Sequence, residues 1–258
     1  MISIQHIVKT FGGLRAVDDC TFDVREGTIT GLIGPNGAGK TTLFNIIAGF
    51  LRPDSGRIIL ADEDITRLPP HRRFHRGLVR TFQIPHEFGG MTVLENLMLV
   101  PSAQRGEWVP EVLLRPGRVR RQEAEVRERA EDALEFLQLT HLRDELAGNL
   151  SGGQKKLLEL GRTMMTEARV VLLDEPGAGV NRTLLAKLAE DIRRLNRERG
   201  YTFCIIEHDM DLIAELCDPV VVMAQGTVLM QGTMDEVRAN EEVLAAYLGG
   251  GAAVEASA

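Results

Sequence analysis

The segment Gly34-Pro35-Asn36-Gly37-Ala38-Gly39-Lys40-Thr41-Thr42 constrains the chain most, because it dictates structure on both sides of itself. Its glycines let the backbone wrap with N–H groups pointing at phosphate oxygens. Lys40 reaches the β/γ-phosphates, and the Thr41 hydroxyl is suited to ligate Mg²⁺. Such a loop works only between a strand and a helix. Thr28-Ile29-Thr30-Gly31-Leu32-Ile33 ahead of it reads as a buried strand, and Leu43-Phe44-Asn45-Ile46-Ile47-Ala48 behind it continues as a helix. The sequence therefore predicts an α/β fold with Asn36, Gly37, Ala38, Gly39, Lys40, Thr41 and Thr42 around a nucleotide's phosphates.

Two further strings extend this reading. Val170-Val171-Leu172-Leu173 is an apolar run that ends in Asp174-Glu175-Pro176. A buried strand of this kind delivers carboxylates at its C-terminal end, where open α/β sheets place their ligands. Asp174 is then suited to hold Mg²⁺, directly or through water, and Glu175 to orient and activate an attacking water. Leu150-Ser151-Gly152-Gly153-Gln154 reads as a helix start with Ser151 as N-cap. Gly152 and Gly153 remove side chains there, so free N–H groups and the positive dipole end make a second anion site.

With these three strings in this order, the chain resembles the ATP-binding subunit of an ATP-binding cassette (ABC) transporter over nearly its whole length. The resemblance implies a P-loop NTPase fold of the ABC ATPase type, α/β, with an antiparallel β subdomain and an inserted α-helical subdomain. It implies an ATPase using ATP and Mg²⁺. It also implies a head-to-tail pair with a second ABC ATPase subunit, identical or different, in which Ser151, Gly152, Gly153 and Gln154 of one chain cap the nucleotide held by the other. Transmembrane permease subunits, and through them a substrate-binding protein, follow as partners.

Three more positions match the family. Gln83, in Arg80-Thr81-Phe82-Gln83, corresponds to a glutamine that touches Mg²⁺ or its water; His208, in Ile205-Ile206-Glu207-His208-Asp209, corresponds to a switch histidine that contacts the γ-phosphate. Phe11, in Lys9-Thr10-Phe11-Gly12-Gly13-Leu14, supplies an aromatic face for the adenine, with Val17 beside it in the nucleotide pocket. Without the family match, these would read as a solvated glutamine, a satisfied strand-end histidine and a core phenylalanine.

Within the superfamily the chain is most similar to the ATP-binding subunits of branched-chain (hydrophobic) amino acid uptake transporters. Phe11 to Val17, Val79 to Gln83, Met91-Thr92-Val93-Leu94-Glu95-Asn96-Leu97, Glu207 to Met210 and Ala246-Tyr247-Leu248-Gly249 carry that resemblance. Urea and amide importer cassettes share many of these strings, and a lipopolysaccharide-type export cassette or a soluble ABC ATPase of iron–sulfur assembly type are alternatives. One departure stands out. Most cassettes follow Glu-Pro with a Ser-Ala-Leu-Asp-like loop that couples the paired sites, whereas here Gly177-Ala178-Gly179-Val180-Asn181 puts a neutral side chain in place of the aspartate.

Composition narrows the partners. No apolar run approaches the ~18 residues of a bilayer span, and the N-terminus lacks a charged n-region followed by an apolar stretch. The expected place is the cytoplasm, peripheral on the inner face of the membrane through permease subunits. A net charge of −7 argues against nucleic acid and against direct adhesion to anionic lipid. Cys20, Cys204 and Cys217 have neither metal-type nor redox-type spacing and read as buried thiols.

Four segments are expected: an ATPase core part over 1–83, a helical subdomain over 84–164, the rest of the core over 165–240, and a C-terminal helix with a disordered tail over 241–258. Thr92 with Glu95 forms a capping box, and Ala133, Leu134, Leu137 and Leu139 make an apolar stripe. Residues 101–117 read as a long irregular connection carrying Trp108. The charged run from Arg115 to Asp132 reads as a solvated helix with Glu123–Arg127 and Glu125–Arg129 pairs.

Overall fold

Strands and helices alternate at both ends of the chain in the computed structural model, which describes residues 1–81 and 87–249. Gln83 and the tail after Gly249 lie outside the described residues. A long hairpin, β1 (Ile2–Phe11) and β2 (Leu14–Val24), precedes β3 (Ile29–Ile33) and α1 (Lys40–Ala48). Then come β4 (Ser55–Leu60), β5 (Glu63–Asp64), α2 (Pro70–Phe74) and β6 (Leu78–Arg80). Helices take over in α3 (Val93–Met98), α4 (Val109–Leu114), α5 (Pro116–Phe136) and α6 (Gly152–Met164). Alternation resumes with β7 (Val170–Asp174), α7 (Arg182–Arg199), β8 (Thr202–Ile206), α8 (Met210–Leu216), β9 (Val220–Ala224) and β10 (Thr227–Gly232), and α9 (Met234–Ala239) and α10 (Glu241–Gly249) follow.

One compact unit comprises Met1–Gln83, Arg169–Ala178 and Ile192–Ala258. Its larger sheet has the order β10-β9-β3-β8-β7-β6 and is parallel except for β10. β3, β7, β8 and β9 are buried along their whole length, which is why their sequences run apolar without alternating. Because β3, β8 and β7 are consecutive parallel neighbours, their C-terminal ends deliver the phosphate loop, His208 and the Asp174-Glu175 pair to one edge. The smaller sheet, β2-β1-β4-β5, is antiparallel.

Helix α1 holds the loop in place through both its side chains and its C-terminus. Leu43, Phe44, Ile46 and Ile47 are at most 1% exposed, each worth about 1.5–3 kcal/mol of apolar burial. The helix end, where carbonyls lack partners, meets Arg73, itself 1% exposed. Its guanidinium donates to the carbonyls of Ile46 (2.7 Å), Ile47 (2.6 Å), Leu68 (2.9 Å) and Thr66 (2.8 Å), and burial lowers its pKa to about 10. A cation there also complements the helix dipole.

The second unit comprises Ile84–Ala168 and Gly179–Asp191. Residues 179–191 therefore cluster with the helices rather than with the 165–240 core segment expected from the sequence. Gly153 on α6 supplies the reason: a Cβ there would stand 2.5 Å from Cδ1 of Leu184, so α6 and the start of α7 touch where no side chain intervenes. The Thr92–Glu95 capping box is present, with Glu95 N–H donating to Thr92 Oγ1 (3.2 Å) and Thr92 N–H to Glu95 Oε2 (2.8 Å). Ala133, Leu134, Leu137 and Leu139 are buried.

Two expectations for this unit are corrected. The stretch before α5 is not irregular throughout, since Arg105–Glu107 forms a 3₁₀ turn and Val109–Leu114 a short helix with Pro110 in its first turn, where a missing N–H costs nothing. The expected Glu123–Arg127 and Glu125–Arg129 pairs do not form. Glu125 accepts from Arg121 (3.2 Å) instead, and Arg129 donates to the Met165 carbonyl (3.1 Å).

Candidate nucleotide site

Between β3 and α1 the backbone turns so tightly that two positions admit only glycine. Gly34 has φ +152°, and a Cβ on it would sit 2.0 Å from the Met223 carbonyl oxygen; Gly39 has φ +96°, with its Cβ 2.3 Å from the Ala16 carbonyl. The turn aims the first amides of α1 outward as an anion site. Lys40 begins the helix and is 7% exposed, its ammonium donating to the carbonyls of Gly34 (2.7 Å) and Pro35 (3.1 Å). Burial lowers its pKa, and the charges of Glu175 and Asp174 pull it partly back. A cationic head whose hydrogen bonds among the described residues all go to its own loop is poised to exchange those carbonyls for phosphate oxygens.

Phe11, Asn36, Gly37, Ala38, Gly39, Lys40, Thr41, Thr42, Glu175 and His208 line one cavity of about 700 Å³. Phe11 stands at its edge, 46% exposed, with the Lys9 ammonium 5.5 Å from its ring. Val17 is the exception. It is fully buried in the core, and Ala16 beside it lines the cavity, because successive strand residues face opposite sides of the sheet.

At the end of β7 two carboxylates part ways. Asp174 is 4% exposed and accepts from Arg80 Nη2 at 2.8 Å, so it lies beneath the cavity rather than in its wall. The Arg80 guanidinium also donates to Asn45 of α1 (2.6 Å), which ties the acidic strand end to the phosphate-loop helix. Glu175 adopts φ +49°, a left-handed conformation that a glutamate rarely takes and that marks functional sites. Its Oε1 faces His208 Nε2 at 2.9 Å.

Ser151, Gly152, Gly153 and Gln154 form their own group in the helical unit. Ser151 caps α6, and Gln154 Oε1 accepts from the Ser151 N–H (2.9 Å) and hydroxyl (3.0 Å). Ser151 and Gly152 are exposed, whereas Gly153 is packed under Leu184. The outward anion site is therefore narrower than the pentapeptide suggests, and Gly153 has a packing reason of its own.

Residues 17–178 match the family model described as ABC transporter, and residues 227–253 match the one described as branched-chain amino acid ATP-binding cassette transporter. LivG of Archaeoglobus fulgidus, a probable branched-chain amino acid transport ATP-binding protein, is 43% identical over 96% of this chain and 95% of its own. BraF of Pseudomonas aeruginosa, a high-affinity branched-chain amino acid transport ATP-binding protein, is 40% identical over 96% of this chain and 98% of its own. A solved nucleotide-free ATP-binding cassette from an ABC transporter aligns with a TM-score of 0.82 at 38% identity, covering 95% of this chain and 98% of the other. The chain belongs to the ABC transporter family.

It is one of that family's ATPase cassettes. The structure brings residues to the cassette's site that the motifs did not flag. Gln225 lines the cavity at φ +49°, and the turn it begins braces the loop: Gly226 N–H donates to the Ala38 carbonyl (3.1 Å) and Gly226 O accepts from Asp18 (2.8 Å). Glu207, 5% exposed, accepts the N–H of Gly177 (2.6 Å) and of His208 (3.1 Å). Burial raises its carboxyl pKa despite those amides. The signal was present, since Phe203 to Ile206 runs apolar into an acid just as Val170 to Leu173 does. Asn181 accepts from the Leu184 N–H (3.0 Å), an N-cap that asparagine and aspartate fill equally well.

Proposed function

We propose that this cassette binds ATP with Mg²⁺ and hydrolyses it to power uptake of branched-chain or related amino acids. It would act as half of a pair with a second cassette, identical or different, bound to transmembrane permease subunits at the cytoplasmic face of the membrane and through them to a substrate-binding protein. The observation that carries the hydrolytic part is the Glu175–His208 pair in the wall of the same cavity as the glycine loop. The cargo reading is supported by relatives that span nearly the whole chain and by the match at residues 227–253. No helix among the described residues is long and apolar enough to cross a membrane, which suits attachment through other subunits.

The donor set suits Mg²⁺. Thr41 in the cavity wall offers a hydroxyl oxygen, Asp174 beneath the wall would act through a water, and Gln83 adds an amide oxygen, while no cluster of three or more metal-binding side chains exists among the described residues. That is the pattern for an ion whose remaining ligands are water and phosphate oxygens. Bound there, Mg²⁺ supplies neutralisation of charge on the β- and γ-phosphates. Lys40 and the α1 amides hold the phosphates, Phe11 stacks on the adenine, and Glu175 accepts a proton from water while His208 fixes the carboxylate's orientation. Ser151 and Gly152, exposed on their own unit, are available to the nucleotide of a second copy. The γ-phosphate is the charge that loop and helix tip both gain by meeting, so it selects the closed pair.

Lys40→Ala tests this reading. It should abolish nucleotide-dependent pairing, seen by light scattering, and ATP turnover at Lys40→Ala equal to wild type would contradict the site. Proteoliposomes with the partner permease should take up branched-chain amino acids and not urea.

A further inference from the structure

The surface around α4 differs from the rest of the molecule in two respects. Trp108, Val109, Leu113 and Leu114 are 69%, 68%, 74% and 79% exposed, and α4 has no buried residue. A helix of a soluble protein turns its apolar side chains to a core; this one turns them to solvent. Beside it a groove of about 360 Å³ is lined by Arg105, Arg118, Arg121, Gln122 and Glu125. The groove's own lining carries three arginines against one glutamate, a local excess of two positive charges on a chain whose net charge is −7.

Of the four acids from Arg105 to Glu125, two are engaged; Glu107 and Glu123 make no ion pair among the described residues. Glu111 accepts from Arg105 (3.2 Å) and Arg115 (3.3 Å), and Glu125 from Arg121 (3.2 Å), while Arg118 makes no ion pair among the described residues. The chain's other acids do not cancel this patch, because exposed charges beyond about 8 Å are largely screened at physiological salt.

We propose that α4 and the arginine groove at the start of α5 contact the surface of an anionic phospholipid membrane directly. Trp108, Val109, Leu113 and Leu114 enter the headgroup boundary, and Arg118 and Arg121 meet lipid phosphates. An exposed apolar helix beside a basic groove on the next one is the make-up of an interfacial contact, and tryptophan favours that depth. A guanidinium fork fits phosphate, and basic residues are drawn to an anionic leaflet. A protein partner covering the apolar face would need acids of its own to meet the arginines; the membrane supplies phosphates. The contact goes beyond the transport reading and is independent of cargo. It also revises the inference from net charge, which averages over a surface whose local sign reverses here.

Trp108 is the only tryptophan, so its emission reports this position alone. The full chain is titrated with vesicles of phosphatidylcholine alone and of phosphatidylcholine with phosphatidylglycerol. Phosphatidylglycerol vesicles should shift the emission to the blue and co-sediment the protein, with binding that weakens as salt is added. Arg118→Glu with Arg121→Glu should weaken partitioning roughly tenfold or more, and Leu113→Glu with Leu114→Glu should abolish it, with wild-type ATPase turnover and melting in both variants. No shift with either vesicle overturns the proposal, as does equal binding to both, which removes the arginine–phosphate contact. A shift that appears only with detergent-solubilised permease assigns the patch to a protein partner and also overturns it.

Discussion

Strands β7 and β8 lie side by side in parallel, Asp174 opposite Ile206, and both are buried throughout. Each runs into acid at its C-terminal end, Asp174 and Glu175 on one, Glu207 on the other. What differs is how the charge is met. Asp174 faces a guanidinium, and Glu207 faces backbone amides in a setting dry enough to raise its pKa. Glu175 is left in the cavity wall opposite an imidazole. Two buried carboxylates thus fix the frame, one by pairing and one by holding the main chain. The third is placed where a substrate can reach it.

The largest effect should follow from removing the reachable acid. Glu175→Gln keeps the size and one acceptor oxygen but removes the base, so turnover should fall about 10²- to 10⁴-fold while ATP binding persists. Single-turnover hydrolysis with a parallel nucleotide-binding titration separates the two. Turnover close to wild type would move the chemistry to another group.

Next comes the paired acid. Arg80→Ala leaves the Asp174 carboxylate buried without its counter-ion, which costs about 3–5 kcal/mol in denaturant unfolding. Asp174→Asn added to Arg80→Ala should recover part of that loss, since it removes the stranded charge. Strict additivity of the two changes would mean that the pair is not coupled.

The sequence made one side of this comparison easier to read than the other. β3, β7 and β8 were legible because strands buried on both faces carry an apolar run that nothing local contradicts, and the glycine loop fixes its neighbours by sterics. Arg80 with Asp174 and Glu207 with Gly177 were not, since each joins segments far apart in the chain and leaves no periodic trace. Val17 was misplaced by one position, the smallest error that moves a strand residue from cavity to core. The Glu123–Arg127 spacing was right for a helix, but spacing does not choose a partner. Arg121 reached Glu125 from the N-terminal side, the less favoured order, and Arg129 found a carbonyl instead. Helix α4 escaped notice because it lacks the buried stripe by which helices announce themselves.

The smallest effect should come from the amide-bound acid. Glu207→Gln retains one acceptor but turns an NH₂ toward a backbone N–H, leaving that amide unpaired at a cost of about 1–3 kcal/mol. Part of this is offset once the charged form no longer has to be buried. The pH dependence separates the two contributions. The folded chain holds the Glu207 proton more tightly than the unfolded chain does, so this group's stabilisation is complete below the ordinary glutamate value and is lost as pH rises through the raised one. The glutamine has no such decline. Unfolding free energies measured from pH about 4 to about 8 should therefore show the wild-type advantage largest in acid and narrowing toward neutrality. A gap that instead widens with pH would mean that the amides of Gly177 and His208 hold the ionised carboxylate well enough to overcome its burial, and that β8 ends as β7 does, in a fully compensated charge.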